Sequence, residues 1–207
     1  IALPTHGMIT NIGKAHIGMF GGMQGIIKGK TELYRHLEDH NGIAFVNQRQ
    51  NPLVEKSKSI KQKYLYPGPG GFYNCSMVKA DPFLQVQTAE KRIIKTHLVG
   101  KYNFDNVASA LCIGKFFDVP AIDATTAIES YKPDNNRSQI IEKDDITIIL
   151  DAYNANPTSM LSALENLQEM DGEHKGVILG DMFELGEDTE MEHRLLGEIV
   201  HKMSIQK

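Results

Sequence analysis

Tryptophan is absent from this 207-residue chain, and cysteine occurs only twice, at Cys75 and Cys112. Two cysteines so far apart supply neither a disulfide framework nor a zinc cluster, and a reducing, cytoplasmic setting suits such sparing use. Long apolar runs are lacking too. No stretch approaches the roughly 18 apolar residues that cross a bilayer as a helix. Charge of one sign is not in excess either: 22 Lys and Arg face 26 Asp and Glu, for a net charge of −4. Nucleic acid and anionic membrane are therefore not expected as main partners. The opening Ile1-Ala2-Leu3-Pro4 has no basic region of a signal peptide and no initiating Met, and it reads as the interior of a longer chain. The full Walker spacing, Gly-x4-Gly-Lys-Ser/Thr, occurs nowhere, so the chain carries no phosphate cradle of that kind.

What is there suits one large domain or two small ones, with 41% apolar and 23% charged residues. Thr10 to Ile12 reads as the end of a strand turned by Gly13. Met23 to Leu37 reads as one helix, with Met23, Ile26, Ile27, Leu33, Tyr34 and Leu37 at three- and four-residue spacing. Ile43 to Asn47 is a strand, Asn51-Pro52 opens a short helix, and Pro67 to Gly71 must be loop. Phe83 to Thr88 and Arg92 to Leu98 alternate as a hairpin. Helices follow from about Asn103 to Phe117 and from about Asp123 to Ser130. The polar run Lys132 to Asn136 is a hinge, giving domains over 1–136 and 137–207. Beyond it, Ile146 to Leu150 and Val177 to Leu179 read as buried strands of a parallel sheet. Between them Asn156-Pro157 starts a helix to about Met170. Thr189 and Glu192 form a capping box for a last helix.

Several residues are poor choices for packing alone. Lys30 falls on the apolar helix face, whereas Lys28 points away. A buried ammonium loses hydration, its pKa falls, and a neutral amine can take up carbon dioxide to become an anionic oxygen ligand. The plainer alternative is a packed stem with its head in solvent. His16, in Asn11-Ile12-Gly13-Lys14-Ala15-His16, is a candidate metal ligand or phosphate contact, or a structural histidine. Asn103 and Asn106 either cap a helix or pair with the edge of an adenine ring. Arg137 can neutralise phosphate oxygens across a cleft, or stand idle at the hinge. Asp151 ends a strand where an acid often holds ribose, or caps the next turn. Tyr153, Asn154, Asn156 and Ser159 crowd a helix entrance, a place that favours anions. Asp181, Glu184 and Gly186 occupy the corresponding loop after the next apolar segment.

In order, these pieces resemble the Mur ligases. The resemblance rests on Asn11 to His16, Gly100-Lys101-Tyr102-Asn103-Phe104-Asp105-Asn106, Arg137 and Asp151. Asp151-Ala152-Tyr153-Asn154-Ala155-Asn156-Pro157 and Gly180-Asp181-Met182-Phe183-Glu184-Leu185-Gly186 narrow it further. It implies an α/β fold: part of a P-loop-type central ATPase domain, then part of a Rossmann-like C-terminal domain. It implies ATP and Mg2+ as cofactors and a ligation joining D-alanyl-D-alanine to UDP-N-acetylmuramoyl-tripeptide through an acyl phosphate. By resemblance His16 helps bind magnesium, and Lys30 is the carbamylated lysine. Asn103 and Asn106 lie at the adenine, Arg137 and Asp151 at phosphates and ribose, and Tyr153, Asn154 and Ser159 face the reacting centre or the incoming dipeptide. The family often has histidine where this chain has Tyr102. The uridine-binding domain, the phosphate loop and a metal-binding glutamate, implied upstream as the N-terminal part of the same chain, are not in the sequence. These 207 residues alone are thus expected to be inactive and to bind ATP poorly. A folylpolyglutamate-synthase-like ligase and a non-catalytic module descended from a ligase are the rival readings.

Overall fold

Strand β2, Ile43–Asn47, is apolar on both faces, and the architecture of the first half follows from that. A computed structural model describes residues 3–14, 17–134, 136–172 and 174–203. In it β1 (His6–Met8), β2 and β3 (Gln62–Tyr66) form a parallel sheet in that order. Ala44 and Val46 face one layer, with Tyr34, Leu37 and Leu53 from helices α2 (Glu32–Asp39) and α3 (Asn51–Lys56). Phe45 faces the other, towards helix α4 (Asn103–Phe116). Burial on both faces explains why this strand reads as a continuous apolar run.

Strands β4 (Cys75–Ala80), β5 (Phe83–Thr88) and β6 (Ile93–Val99) form an antiparallel meander. Helix α4 lies between the two sheets and buries Phe104, Val107, Ala108, Leu111 and Cys112. Cys75 and Cys112 are both free and buried in this core, and burial pushes both thiols up to about 12. Helix α5 (Ala121–Ser130) packs on β6 and α4.

The expected helix over 23–37 is two, α1 (Met23–Lys30) and α2, parted at Thr31. Thr31 turns its hydroxyl back onto the Ile27 carbonyl at 2.8 Å, which also takes the Thr31 amide at 3.0 Å, and such back-bonding bends a helix. The first strand ends at Met8, so Thr10 to Ile12 is irregular backbone and not a strand end. Gly29-Lys30-Thr31 sits at the end of a helix, which is no place for a phosphate cradle.

In the second half, β7 (Gln139–Lys143) and β8 (Ile146–Leu150) form an antiparallel hairpin, followed by α6 (Pro157–Glu169) and α7 (Thr189–Lys202). The parallel pairing expected of β8 is corrected here: β7 is its strand partner among the described residues. Ile146 is 64% exposed, so its burial is corrected too. Val177 to Leu179 makes no ladder, and Ile178 is fully exposed, because no neighbouring strand covers it among the described residues. No helix is long and apolar enough to cross a membrane among those residues.

The two halves share a core. Ile17 and Ile26 from the first pack with Leu164, Met182, Leu185 and Leu196 from the second.

Candidate functional site

Two polar groupings form where the halves meet, one at each end of the loop between β8 and α6. The first starts at Gly100, whose φ of +90° suits glycine; a Cβ there would lie 2.4 Å from the Tyr102 ring. The turn brings the Tyr102 hydroxyl to 2.5 Å from Ser138 Oγ, and lets it donate to Asp151 Oδ2 at 3.3 Å. Burial pushes the Tyr102 phenol up to about 12, so it remains a donor at neutral pH. Tyr102 therefore does structural and electrostatic work between the halves. The hydroxyl reveals this role and sequence spacing does not.

Asn103 is buried rather than capping: its Nδ2 donates to the Val99 carbonyl at 2.7 Å. Its Oδ1 accepts from Asn106 Nδ2 at 3.0 Å. Asn106, one helical turn on, is exposed. The pair is coupled, with Asn103 holding and Asn106 presenting. Arg137 stacks on Tyr153, its Cζ 3.9 Å from the ring centroid, and both are exposed. The Ala152 amide donates to the Asn136 carbonyl at 2.8 Å, which brings the hinge and the end of β8 together. Asp151, Arg137 and Tyr153 thus flank one edge of the second half, with Tyr102 and the start of α4 opposite.

The second grouping gathers around Asn11 to Lys14. Lys30 is half buried and its Nζ donates to the Asn11 carbonyl at 2.9 Å. Burial lowers its pKa. Lys28 is exposed on the opposite face, as the helical spacing requires. His16 lies outside the described residues. The Lys14 amide donates to Thr158 Oγ1 at 3.2 Å, and Lys14 Nζ lies 2.5 Å from Glu192 Oε1. Glu192 therefore does not complete the capping box expected with Thr189; α7 has no side-chain cap at all.

Between the groupings, the loop end is fixed by a box at the start of α6. Asn156 Oδ1 accepts from the Ser159 amide at 3.0 Å, and Ser159 Oγ accepts from the Asn156 amide at 3.1 Å. The Ser159 hydroxyl also donates to the Asn156 carbonyl at 3.0 Å, so it is occupied at the helix end. Asn154 is exposed. On the facing loop, Met182 and Leu185 are buried anchors, while Asp181 is exposed. His193 steadies that loop: its Nε2 accepts from the Met182 amide at 3.1 Å while Nδ1 donates to the Thr189 carbonyl at 2.8 Å. Among the described residues no three His, Cys, Asp or Glu side chains converge as metal ligands.

Comparison with known proteins covers nearly the whole chain. Residues 1–114 match the Mur ligase middle domain, and residues 136–205 match the Mur ligase glutamate ligase domain. The UDP-N-acetylmuramoyl-tripeptide--D-alanyl-D-alanine ligase of Bacillus subtilis is 28% identical over 212 residues, covering 100% of this chain and 46% of that protein. The protein of the same name in Treponema pallidum is 28% identical over 186 residues, covering 90% and 40%. Among solved structures, MurF from Acinetobacter baumannii superposes with a TM-score of 0.85 at 31% identity, covering 98% of this chain and 46% of that one. The chain thus spans about half the length of the relatives it matches.

Proposed function

Because this chain belongs to the Mur ligase family, we propose that it forms the ATP-handling and amine-accepting half of a ligase adding D-alanyl-D-alanine to UDP-N-acetylmuramoyl-tripeptide. Relatives bearing that activity in their names support the choice of member. The observation that carries the reading is the placement of one loop. The 151–158 segment meets the start of α4 through Tyr102 and Asp151, and the Asn11–Lys14 loop through Thr158. A single loop therefore links the proposed nucleotide end to the Lys30 end.

In this reading Asn106 recognises the adenine edge, held by Asn103, and Asp151 takes a ribose hydroxyl while Tyr102 fixes the carboxylate. Arg137, pre-oriented on the Tyr153 ring, neutralises phosphate oxygens. The tripeptide carboxylate attacks the terminal phosphorus of ATP and ADP leaves. The dipeptide amine then attacks the acyl phosphate carbon, loses a proton, and expels inorganic phosphate. Positioning and charge neutralisation carry most of such chemistry. Asn154, exposed beside Tyr153, is assigned to the incoming dipeptide. Ser159 is assigned to holding the helix entrance through its bonds to Asn156. Lys30 is assigned to the reacting centre, where a lowered pKa favours the neutral amine that carbamylation requires. Magnesium belongs in the assay, but no step is derived through it.

The test is amide formation by the product of the complete reading frame, followed by mass spectrometry. The proposal expects an ATP-dependent product with D-alanyl-D-alanine and none with single amino acids. Product with a single amino acid, or with a pteridine-linked glutamate as acceptor, overturns it.

A further inference from the structure

The Asn11–Lys14 loop belongs to the first half, yet its firmest contacts are with the second. Glu192, on α7, is only 6% exposed, and its carboxylate meets Lys14 Nζ at 2.5 Å. The Lys14 amide bonds Thr158 on α6, and the Gly18 amide bonds the Glu184 carbonyl at 3.1 Å. The backbones cross closely there: a Cβ on Gly18 would lie 2.7 Å from the Gly186 nitrogen. Ile17, between these points, enters the shared core with Leu185 and Leu196. At its other end the loop gives its Asn11 carbonyl to Lys30.

We infer that the Lys14–Glu192 pair is an interdomain strap that fixes the Asn11–Lys14 loop, and through it the surroundings of Lys30. Resting on the proposed ligase reading, Glu192 is then a positioning residue for the reaction. A carboxylate buried on one side and an ammonium reaching it from the other half make a contact that exists only when the halves are docked. Removing Lys14 leaves the buried Glu192 carboxylate without compensation, and removing Glu192 frees the half-exposed Lys14 to turn to solvent. The loop loses its tether from α7, and the Lys14 and Gly18 amides become free to open.

Hydrogen exchange at those two amides tests the strap on the chain itself, by NMR. Lys14→Met and Glu192→Gln should each speed exchange at both by about tenfold, while amides of the β5–β6 ladder stay unchanged. The swapped pair K14E/E192K should recover protection to within about threefold of the parent. Unchanged exchange in both single variants overturns the strap whatever the protein's activity. In the complete enzyme E192Q should lower kcat about tenfold with little change in KM, and the swap should restore it. An active parent with unaltered kcat in E192Q overturns the positioning role. An intact strap in an inactive parent overturns only the ligase reading.

Discussion

Replacing Ser159 by alanine separates a helix cap from a catalytic hydroxyl. Its Oγ accepts from the Asn156 amide and donates to the Asn156 carbonyl, while Asn156 Oδ1 receives the Ser159 amide. Loss of an N-cap side chain costs about 1 kcal/mol, within a range of roughly 0.5–2. Asn156→Ala should therefore destabilise by about that amount, and Ser159→Ala by about 1 kcal/mol through the lost reciprocal bond. In a chain of this size each should lower the melting temperature by about 2–4 °C. The double variant should fall short of the sum, since the two residues form one unit. Urea unfolding measures the stabilities, and initial-rate ligation by the complete enzyme measures the chemistry. The cap reasoning expects S159A to hold kcat within about threefold; a general acid or base would cost about a hundredfold or more. Unchanged stability with turnover lost on that scale refutes it.

Three further outcomes follow from the packing and titration. Burial depresses the Lys30 pKa below its ordinary value of 10.5, so the unfolded chain binds the extra proton between the two values. Stability should then rise with pH through that window, and Lys30→Met should remove the rise in pH-dependent urea unfolding. Tyr102 shows the opposite sign: its pKa is raised from 10.0 to about 12, so its stabilisation fades as pH climbs through that interval. Tyr102→Phe should lessen that loss and, by leaving the buried Ser138 hydroxyl without its 2.5 Å partner, cost about 1–3 kcal/mol in urea at neutral pH. Leu164, 3% exposed in the core shared with Ile17 and Ile26, should cost about 3 kcal/mol when cut to alanine. A shift under about 1 kcal/mol would mean that the shared core is loosely packed.

The parts legible in the sequence are those with a local cause. Ile43–Asn47 was readable because both its faces are buried, and α6 because Asn156-Pro157 caps and starts a helix. The hairpin of β5 and β6 showed in its alternation. Strand β4 hid because Ser76 to Lys79 are exposed, leaving no buried face to mark it. Val177 to Leu179 misled for the converse reason: an apolar run signals burial only when a neighbour covers it. Glu192 shows the deeper limit. Thr189 and Glu192 have capping-box spacing, but Lys14, distant in sequence, claims the carboxylate. Likewise Lys30 was legible from helical spacing, whereas the Asn11 carbonyl that receives it depends on the path of an irregular loop.

The proposed nucleotide assignment turns most directly on Asp151, and ADP affinity of the product of the complete reading frame measures it. Asp144, in the turn at the other end of β8, is the matched control. Asp151→Ala should weaken ADP binding by about tenfold or more, roughly 1.4 kcal/mol, while Asp144→Ala leaves it unchanged. Equal affinities in the two variants would contradict the placement of ribose at the end of β8.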